Sequence, residues 1–243
     1  MRSFEVVERT NLQRDGFSIL PGIFGPEEIE DLVAAVSTLN GNNGVRSRGG
    51  VYAVRNLLHL SPTINGFAYS AKVRSIVEAN LGTSAFPVRG TLFDKTPMAN
   101  WVVPWHQDLT ICVIEKIDVP GYGPWTTKAG MRHVQPPVSI LEDMLSIRIH
   151  LDDCDQSNGA LRVIPGTHEL GRLTHERILE QQRSAGYVSC TVRAGGVVLM
   201  RPLLLHASSA AFNASHRRVI HIDYASSRLD GGLRWSIAAP GLQ

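Results

Sequence analysis

The sequence is short of cysteine, of long apolar runs and of any surplus of one charge, and each shortage closes off a class of protein. Its three cysteines are Cys112, Cys154 and Cys190. The number is odd and no two share a CxxC spacing. That argues against a disulfide framework or a zinc–cysteine site and favours reduced thiols in a cytoplasmic setting. The longest apolar stretches, GVVLM and PLLLH, are far too short to cross a bilayer, so no membrane association is expected. The opening segment MRSFEVVERTNLQRDG carries Glu5, Glu8 and Asp15 and no continuous apolar stretch, which is unlike a secretory leader. Basic residues number 24 and acidic residues 22, a net charge of +2, with no run of like charge. Nothing in that balance marks a nucleic-acid-binding face.

What is present reads as an ordinary globular chain. It has 243 residues, 43% of them hydrophobic, enough for one domain with a sizeable core. The first part, about residues 1–84, is expected to be helical. Gly25-Pro26 opens the run EEIEDLVAAVSTLN, in which Ile29, Leu32, Val33 and Val36 share one helical face, and Asn40-Gly41 is its expected stop. AKVRSIVEANLG repeats the pattern with Val73, Ile76, Val77 and Leu81, ending at Gly82.

From about residue 85 to 226 the periodicity shortens to that of strands: FPVRGTLFD, DLTICVI, MLSIRIHLD, ALRVI, YVSCTVR, GVVLMR and RVIHIDY. Many short strands behind a helical part suggest a double-sheet jelly roll with packed helices, mainly β with flanking α. The segment between Glu115 and Glu142, rich in Pro, Gly and Trp, is expected to be a long loop forming a lid or an active-site wall.

Three segments match His-x-Asp: His106–Asp108, His150–Asp152 and His221–Asp223. Residues i and i+2 of a strand share a face, so each pair can aim two ligands at one metal. His221–Asp223 has no later histidine and sits in an apolar alternating strand, which reads as structural. His150–Asp152 runs into DDCDQSNG, where the acids read as turn caps. His106–Asp108 lies at the start of a strand and just before the long segment, as a ligand pair near a mouth would. A facial triad needs one more histidine, and His206 ends the apolar run GGVVLMRPLLLH. Ser208 follows on the same face. Arg217 follows eleven residues after His206 on the next strand, where a guanidinium can fork onto a carboxylate.

The segments DKTPMANWVVPWHQDLT, SNGALRVIPGTHELG and HASSAAFNASHRRVIHIDYA resemble the phytanoyl-CoA dioxygenase (PhyH) family of iron(II)/2-oxoglutarate-dependent oxygenases. The likeness runs over about residues 85–226 and extends to the helical N-terminal part. It implies a double-stranded β-helix (cupin-like) fold and a single catalytic domain over 1–243. It also implies iron(II), 2-oxoglutarate and dioxygen as metal and cosubstrates. His106, Asp108 and His206 match the metal positions. Arg217 and Ser208 match the contacts to the 2-oxoglutarate carboxylate, with Arg218 facing away, and Thr91 and Arg148 fall where the family lines the cosubstrate pocket. Because Asp108 is retained, hydroxylation is implied rather than halogenation, which in related enzymes requires a small residue at that position.

For the substrate, a small molecule, the polar and aromatic residues near the motif are Arg55, Asn56, Arg89, Trp101, Trp105, Gln107, Lys128 and His133. They are expected to anchor a polar or anionic metabolite. No basic cluster awaits a nucleotide, so a CoA ester is not demanded. Two other readings stay open: a metal-dependent cupin-type dioxygenase or isomerase that makes no use of 2-oxoglutarate, and a non-catalytic metabolite-binding member of the fold. Monomer and homodimer are both compatible with the sequence.

Overall fold

Three central strands repeat one pattern, apolar side chains toward one face and polar ones toward the other. In a computed structural model that describes residues 11–39, 44–48, 51–212 and 215–237, these are β4 (Phe86–Lys95), β9 (Met144–His150) and β14 (Arg217–Ala225). β14 lies between β9 and β4 and pairs antiparallel with both, Ile220 facing Ile149 and Leu92. The pleat sends Leu92, Leu145, Ile147, Ile149, Ile220, Ile222 and Tyr224 into one core cluster. The opposite face carries Thr91, Arg148, Arg217 and His221, which line a cavity.

The apolar face is covered by the helices Pro26–Ser37, Leu57–Leu60, Pro62–Ala68 and Ala71–Leu81, which bury Leu32, Leu57, Ile64, Val73 and Val77 against it. The first helix begins as expected. Pro26 occupies its first turn, and the Glu28 carboxylate accepts the Gly25 N–H at 2.8 Å. Glu28 also receives Lys72 at 2.6 Å, tying the first helix to the last. The Asn40-Gly41 stop lies outside the described residues.

The first third is not wholly helical. It also holds β1 (Phe17–Leu20), β2 (Val45–Ser47) and β3 (Val51–Arg55), which extend the large sheet at its two edges in the order β1-β12-β9-β14-β4-β3-β2. These strands are short and only half-buried, so long-range pairing with β12 (Val197–Met200) and β4 decides their conformation more than local pattern does. A second sheet, β11 (Val188–Cys190), β10 (Leu161–Val163), β13 (His206–Ser208) and β5 (Val103–His106), faces the polar side of the first and completes the double-stranded β-helix.

The expected long loop is instead folded. Between Glu115 and Glu142 run β7 (Trp125–Lys128), β8 (Met131–Val134) and the helix Val138–Glu142. With β6 (Ile111–Val113) the two strands form a third sheet, ordered β6-β8-β7. Its apolar side packs with Phe86, Val88, Leu229 and Trp235. Among the described residues no helix is long and apolar enough to cross a membrane.

His150 ends β9 fully buried, and neither of its ring nitrogens has a hydrogen-bond partner among the described residues. Burial, reinforced by the nearby Arg148 and Arg217 charges, pulls its pKa down to about 3. Below pH ~6.5 the unfolded chain therefore takes up a proton that the folded chain refuses, so stability falls with pH over that window. The expected cost at pH 5 is about 2 kcal/mol. Urea unfolding of His150→Leu at pH 8 and pH 5 should show this part of the acid loss abolished. An unchanged pH slope would refute the assignment.

Candidate active site

β5 and β13 are paired so that His106 and His206 sit opposite each other, their ring centroids 4.2 Å apart. Each ring is held the same way: Nδ1 donates to the carbonyl two residues earlier, His106 to Pro104 and His206 to Leu204, both at 2.9 Å. A carbonyl can only accept, so the Nε2 atoms are left as lone-pair donors aimed inward. Asp108 completes the group, with Oδ2 3.6 Å from His206 Nε2 and Oδ1 4.0 Å from His106 Nε2. One ligand atom from each of the three lies within 4.8 Å of the others. Asp108 is not on the strand, since β5 ends at His106. The chain turns there, pinned by the Asp108 N–H to Pro202 O at 2.9 Å, so the ligand pair closes a strand rather than starting one. Burial pulls His206 down to about pH 3 despite Asp108 beside it, so it stays a neutral ligand. Two imidazoles and a carboxylate on one side of a cavity fit an iron(II) facial triad with positions open for other ligands.

Beside the triad the inner face of the large sheet supplies cations. Arg217 opens β14 and is buried. It donates through Nη1 to the Gly159 carbonyl, while its Nε has no partner among the described residues. Gly159 is required there. Its φ is +79°, and a Cβ would lie 2.6 Å from the Ser209 carbonyl. Lys95, directly across from Arg217 in the β14–β4 register, is also fully buried. Its ammonium donates to Ser208 Oγ at 3.0 Å and to the Ser209 carbonyl, and stands 5.7 Å over the Trp101 ring. Desolvation and the Arg217 charge bring Lys95 down to about 7. Arg148 is buried with its Nε likewise unpartnered, and burial with the Arg217 charge lowers it to about 10. Arg217 and Arg148 both line the cavity, and a guanidinium is suited to receive a carboxylate. Arg218 turns away, as expected, onto Asp152 at 2.6 Å.

The cavity, about 250 Å³, gathers most of the residues singled out from the sequence: the triad, Arg217, Ser208, Thr91, Arg148, Arg89, Lys128 and His133, with Arg55, Asn56 and Trp101. Two expectations fail. Trp105 points out of the cavity and packs against Arg162 and Tyr187. Gln107 is buried in the frame, where its amide donates to the Gly171 and Leu203 carbonyls and accepts from Leu173 N–H. Trp105 precedes inward-facing His106 in β5, and the strand neighbour of an inward residue points away from it.

One constellation read from sequence as structural belongs to the wall. His221 lines the cavity and joins a chain of buried polar groups. Arg148 donates to its Nδ1 at 2.9 Å, and its Nε2 donates to Asp223 at 2.8 Å. Asp223 also accepts from Ser146 at 2.6 Å and from Arg89 Nε at 2.5 Å. Although burial opposes its charge, Arg89 and His221 hold Asp223 well below the usual carboxylate range. Arg89 further donates to the Thr110 carbonyl at 3.0 Å, beside Asp108.

Comparison with known proteins adds a lineage to this geometry. The sequence profile of the phytanoyl-CoA dioxygenase (PhyH) family matches residues 12–219. Ectoine dioxygenase of Bordetella bronchiseptica is 22% identical over 245 aligned positions, covering 88% of this chain and 73% of that protein. Among solved structures, EctD from S. alaskensis with 2-oxoglutarate and 5-hydroxyectoine superposes with a TM-score of 0.71 at 20% identity, over 92% of this chain and 77% of that one. The epimerase SnoN in complex with Fe3+, alpha ketoglutarate and nogalamycin RO superposes with a TM-score of 0.70 at 18% identity, over 93% and 84%. AviO1 from Streptomyces viridochromogenes gives 0.64 at 22% identity, over 91% and 94%. At these identities the structural likenesses speak for the fold.

The Arg89–Asp223 pair yields a prediction. Removing one partner of a buried pair strands the other charge, so Asp223→Asn should cost about 3 kcal/mol near neutral pH. The depressed carboxylate stabilises the fold above pH ~4 and loses that contribution as pH falls further. Parent and variant should therefore converge in chemical denaturation below pH 4. An equal gap at pH 7 and pH 3 would show that the carboxylate charge is not what matters.

Proposed function

The chain belongs to the phytanoyl-CoA dioxygenase family, and from that premise we propose an iron(II)- and 2-oxoglutarate-dependent dioxygenase that hydroxylates a C–H bond of a small polar metabolite. One observation carries this reading: a single cavity joins the His106–Asp108–His206 cluster to the buried Arg217, which has no carboxylate ion pair among the described residues. A metal site alone would not need that arginine. A cosubstrate with a second carboxylate would.

In this reading His106, Asp108 and His206 hold the iron, and the backbone carbonyls of Pro104 and Leu204 fix the ring tautomers. Arg217 and Ser208 take the distal carboxylate of 2-oxoglutarate, with Thr91 and Arg148 forming the adjoining wall. When bound, iron(II) with 2-oxoglutarate and dioxygen would supply an oxidant strong enough for a C–H bond, with 2-oxoglutarate alone converted to succinate and carbon dioxide. The residues of this chain position, neutralise and exclude water. Burial of His206, Arg148 and Arg217 keeps the inner half of the cavity dry, which strengthens each charge contact within it. Asp108 occupies the position that a halide would need, which favours hydroxylation. The three cysteines are buried and unpaired, in keeping with a reducing cytoplasmic setting.

Asp108→Ala should abolish stoichiometric iron binding and, with it, succinate formation from 2-oxoglutarate. Arg217→Lys retains the charge but loses the fork. It should weaken 2-oxoglutarate roughly tenfold or more in equilibrium binding while iron stoichiometry is kept. An enzyme that uses the metal without 2-oxoglutarate would show no change in either measurement on Arg217→Lys, and that result would overturn the reading.

A further inference from the structure

The inner face of β4 carries cations at both ends. At one end Lys95 sits across from Arg217, beside the carboxylate site already described. Six residues along, at about 3.3 Å each, Arg89 lies ~20 Å away, and a five-carbon diacid is far too short to reach it from Arg217. Around Arg89 a second positive group is assembled from three other strands. Arg55 ends β3 and Lys128 ends β7, and both line the cavity with His133 of β8. They converge on one point: Arg89, Lys128 and Arg55 all bear electrostatically on His133, and with burial, the larger effect, they pull it down to about 4. A neutral His133 adds no charge of its own and leaves a ring able to donate or accept.

The convergence is built. Asn56 follows Arg55 in a left-handed conformation, φ 63°, and its amide donates 3.2 Å to the Ala129 carbonyl. That bond docks the turn of the β7–β8 hairpin onto the end of β3, bringing Lys128 and Arg55 to the same rim. The charges there are not balanced. Arg89 is spent on Asp223. Among the described residues neither Arg55 nor Lys128 has an ion pair, and Asp108 is the one carboxylate that lines the cavity. Like-charged neighbours Arg46 and Arg89, after burial, lower the pKa of Arg55. A fold that gathers like charges at the mouth of a cavity without an acid to match leaves the match to a ligand.

We propose that the substrate is a small organic acid, a carboxylate or a phosphate ester, whose anionic group is held at the cavity mouth by Arg55 and Lys128 while its carbon skeleton extends inward to the His106–Asp108–His206 cluster. This rests on the oxygenase reading above, with the 2-oxoglutarate carboxylate already taken by Arg217. The mouth cations are then a separate anion site, and Asn56 acts as a positioning residue for them.

The test is calorimetric titration, without oxygen, of the full chain loaded with Mn(II) and saturated with 2-oxoglutarate, so that a second anion reports the second site. The probes are benzoate, phenyl phosphate and methyl benzoate. Either acid should bind at least tenfold more tightly than the neutral ester. Whichever acid binds more tightly identifies the group as carboxylate or phosphate. Arg55→Gln and, on the exposed hairpin, the charge reversal Lys128→Glu should each weaken the preferred acid roughly tenfold, with the melting temperature as a check on folding. The proposal is overturned if the ester binds as well as the acids, if neither acid binds, or if Lys128→Glu leaves acid affinity unaltered. Failure of the parent protein to bind 2-oxoglutarate in the loading step would overturn the oxygenase reading itself, which is a distinguishable result.

Discussion

The pleat of β14 sets the constraint that everything else in the site answers to. Its even-numbered residues Ile220, Ile222 and Tyr224 anchor the helical layer, and its odd-numbered residues Arg217, His221 and Asp223 are thereby committed to the interior. β4 and β9 on either side follow the same alternation, so a polar face is turned inward. A sheet of this kind cannot simply bury its charges. Isolated ions in a dry interior cost several kcal/mol each, and they persist only where partners are provided. At Arg89 the partner is Asp223, supported by Ser146 and His221. At Arg217 and Arg148 the Nε atoms have no partner among the described residues, and both side chains line the cavity.

That division orders the site along the cavity. The residues that could hold a metal come from the smaller sheet, where the pairing of β5 with β13 puts two imidazoles opposite each other, and from the turn that follows β5. The buried cations Arg148 and Arg217 come from the larger sheet opposite. Arg55 and Lys128 are brought together where the third sheet docks on the end of β3, an edge of the larger sheet. The larger sheet thus contributes to both ends of the cavity, through Arg217 at one and Arg55 at the other, with the third sheet adding Lys128.

Much of this was legible in the sequence for a simple reason. His106, Asp108, His206, Ser208 and Arg217 fall within short segments whose spacing survives folding, and the helices around Leu32 and Val77 obey their periodicity. The parts that escaped depend on long-range geometry. The segment after Glu115 carries few apolar residues at strand spacing, and its hairpin is fixed by pairing with β6 and by Asn56, far away in sequence. His221 and Asp223 read as structural because they sit in an apolar alternating strand with no later histidine. They proved to be the cavity side, because the smaller sheet covers the face that a simpler sheet would give to water. Trp105 stands next to His106 in β5, where strand alternation turns it away from the cavity, and Gln107 lies past the strand end, where its bonds to Gly171, Leu173 and Leu203 fix it in the frame.

The docking of the β7–β8 hairpin by one side-chain amide has a consequence for how such an enzyme changes over generations. The hairpin contributes a rim charge but no metal ligand and no contact to Arg217. Its exposed residues Thr126 to Lys128 can drift or be replaced while Val134 stays in the core and the triad is untouched. New specificities can therefore arise by substitution at the exposed tip of this hairpin, leaving its buried end and the inner cavity in place.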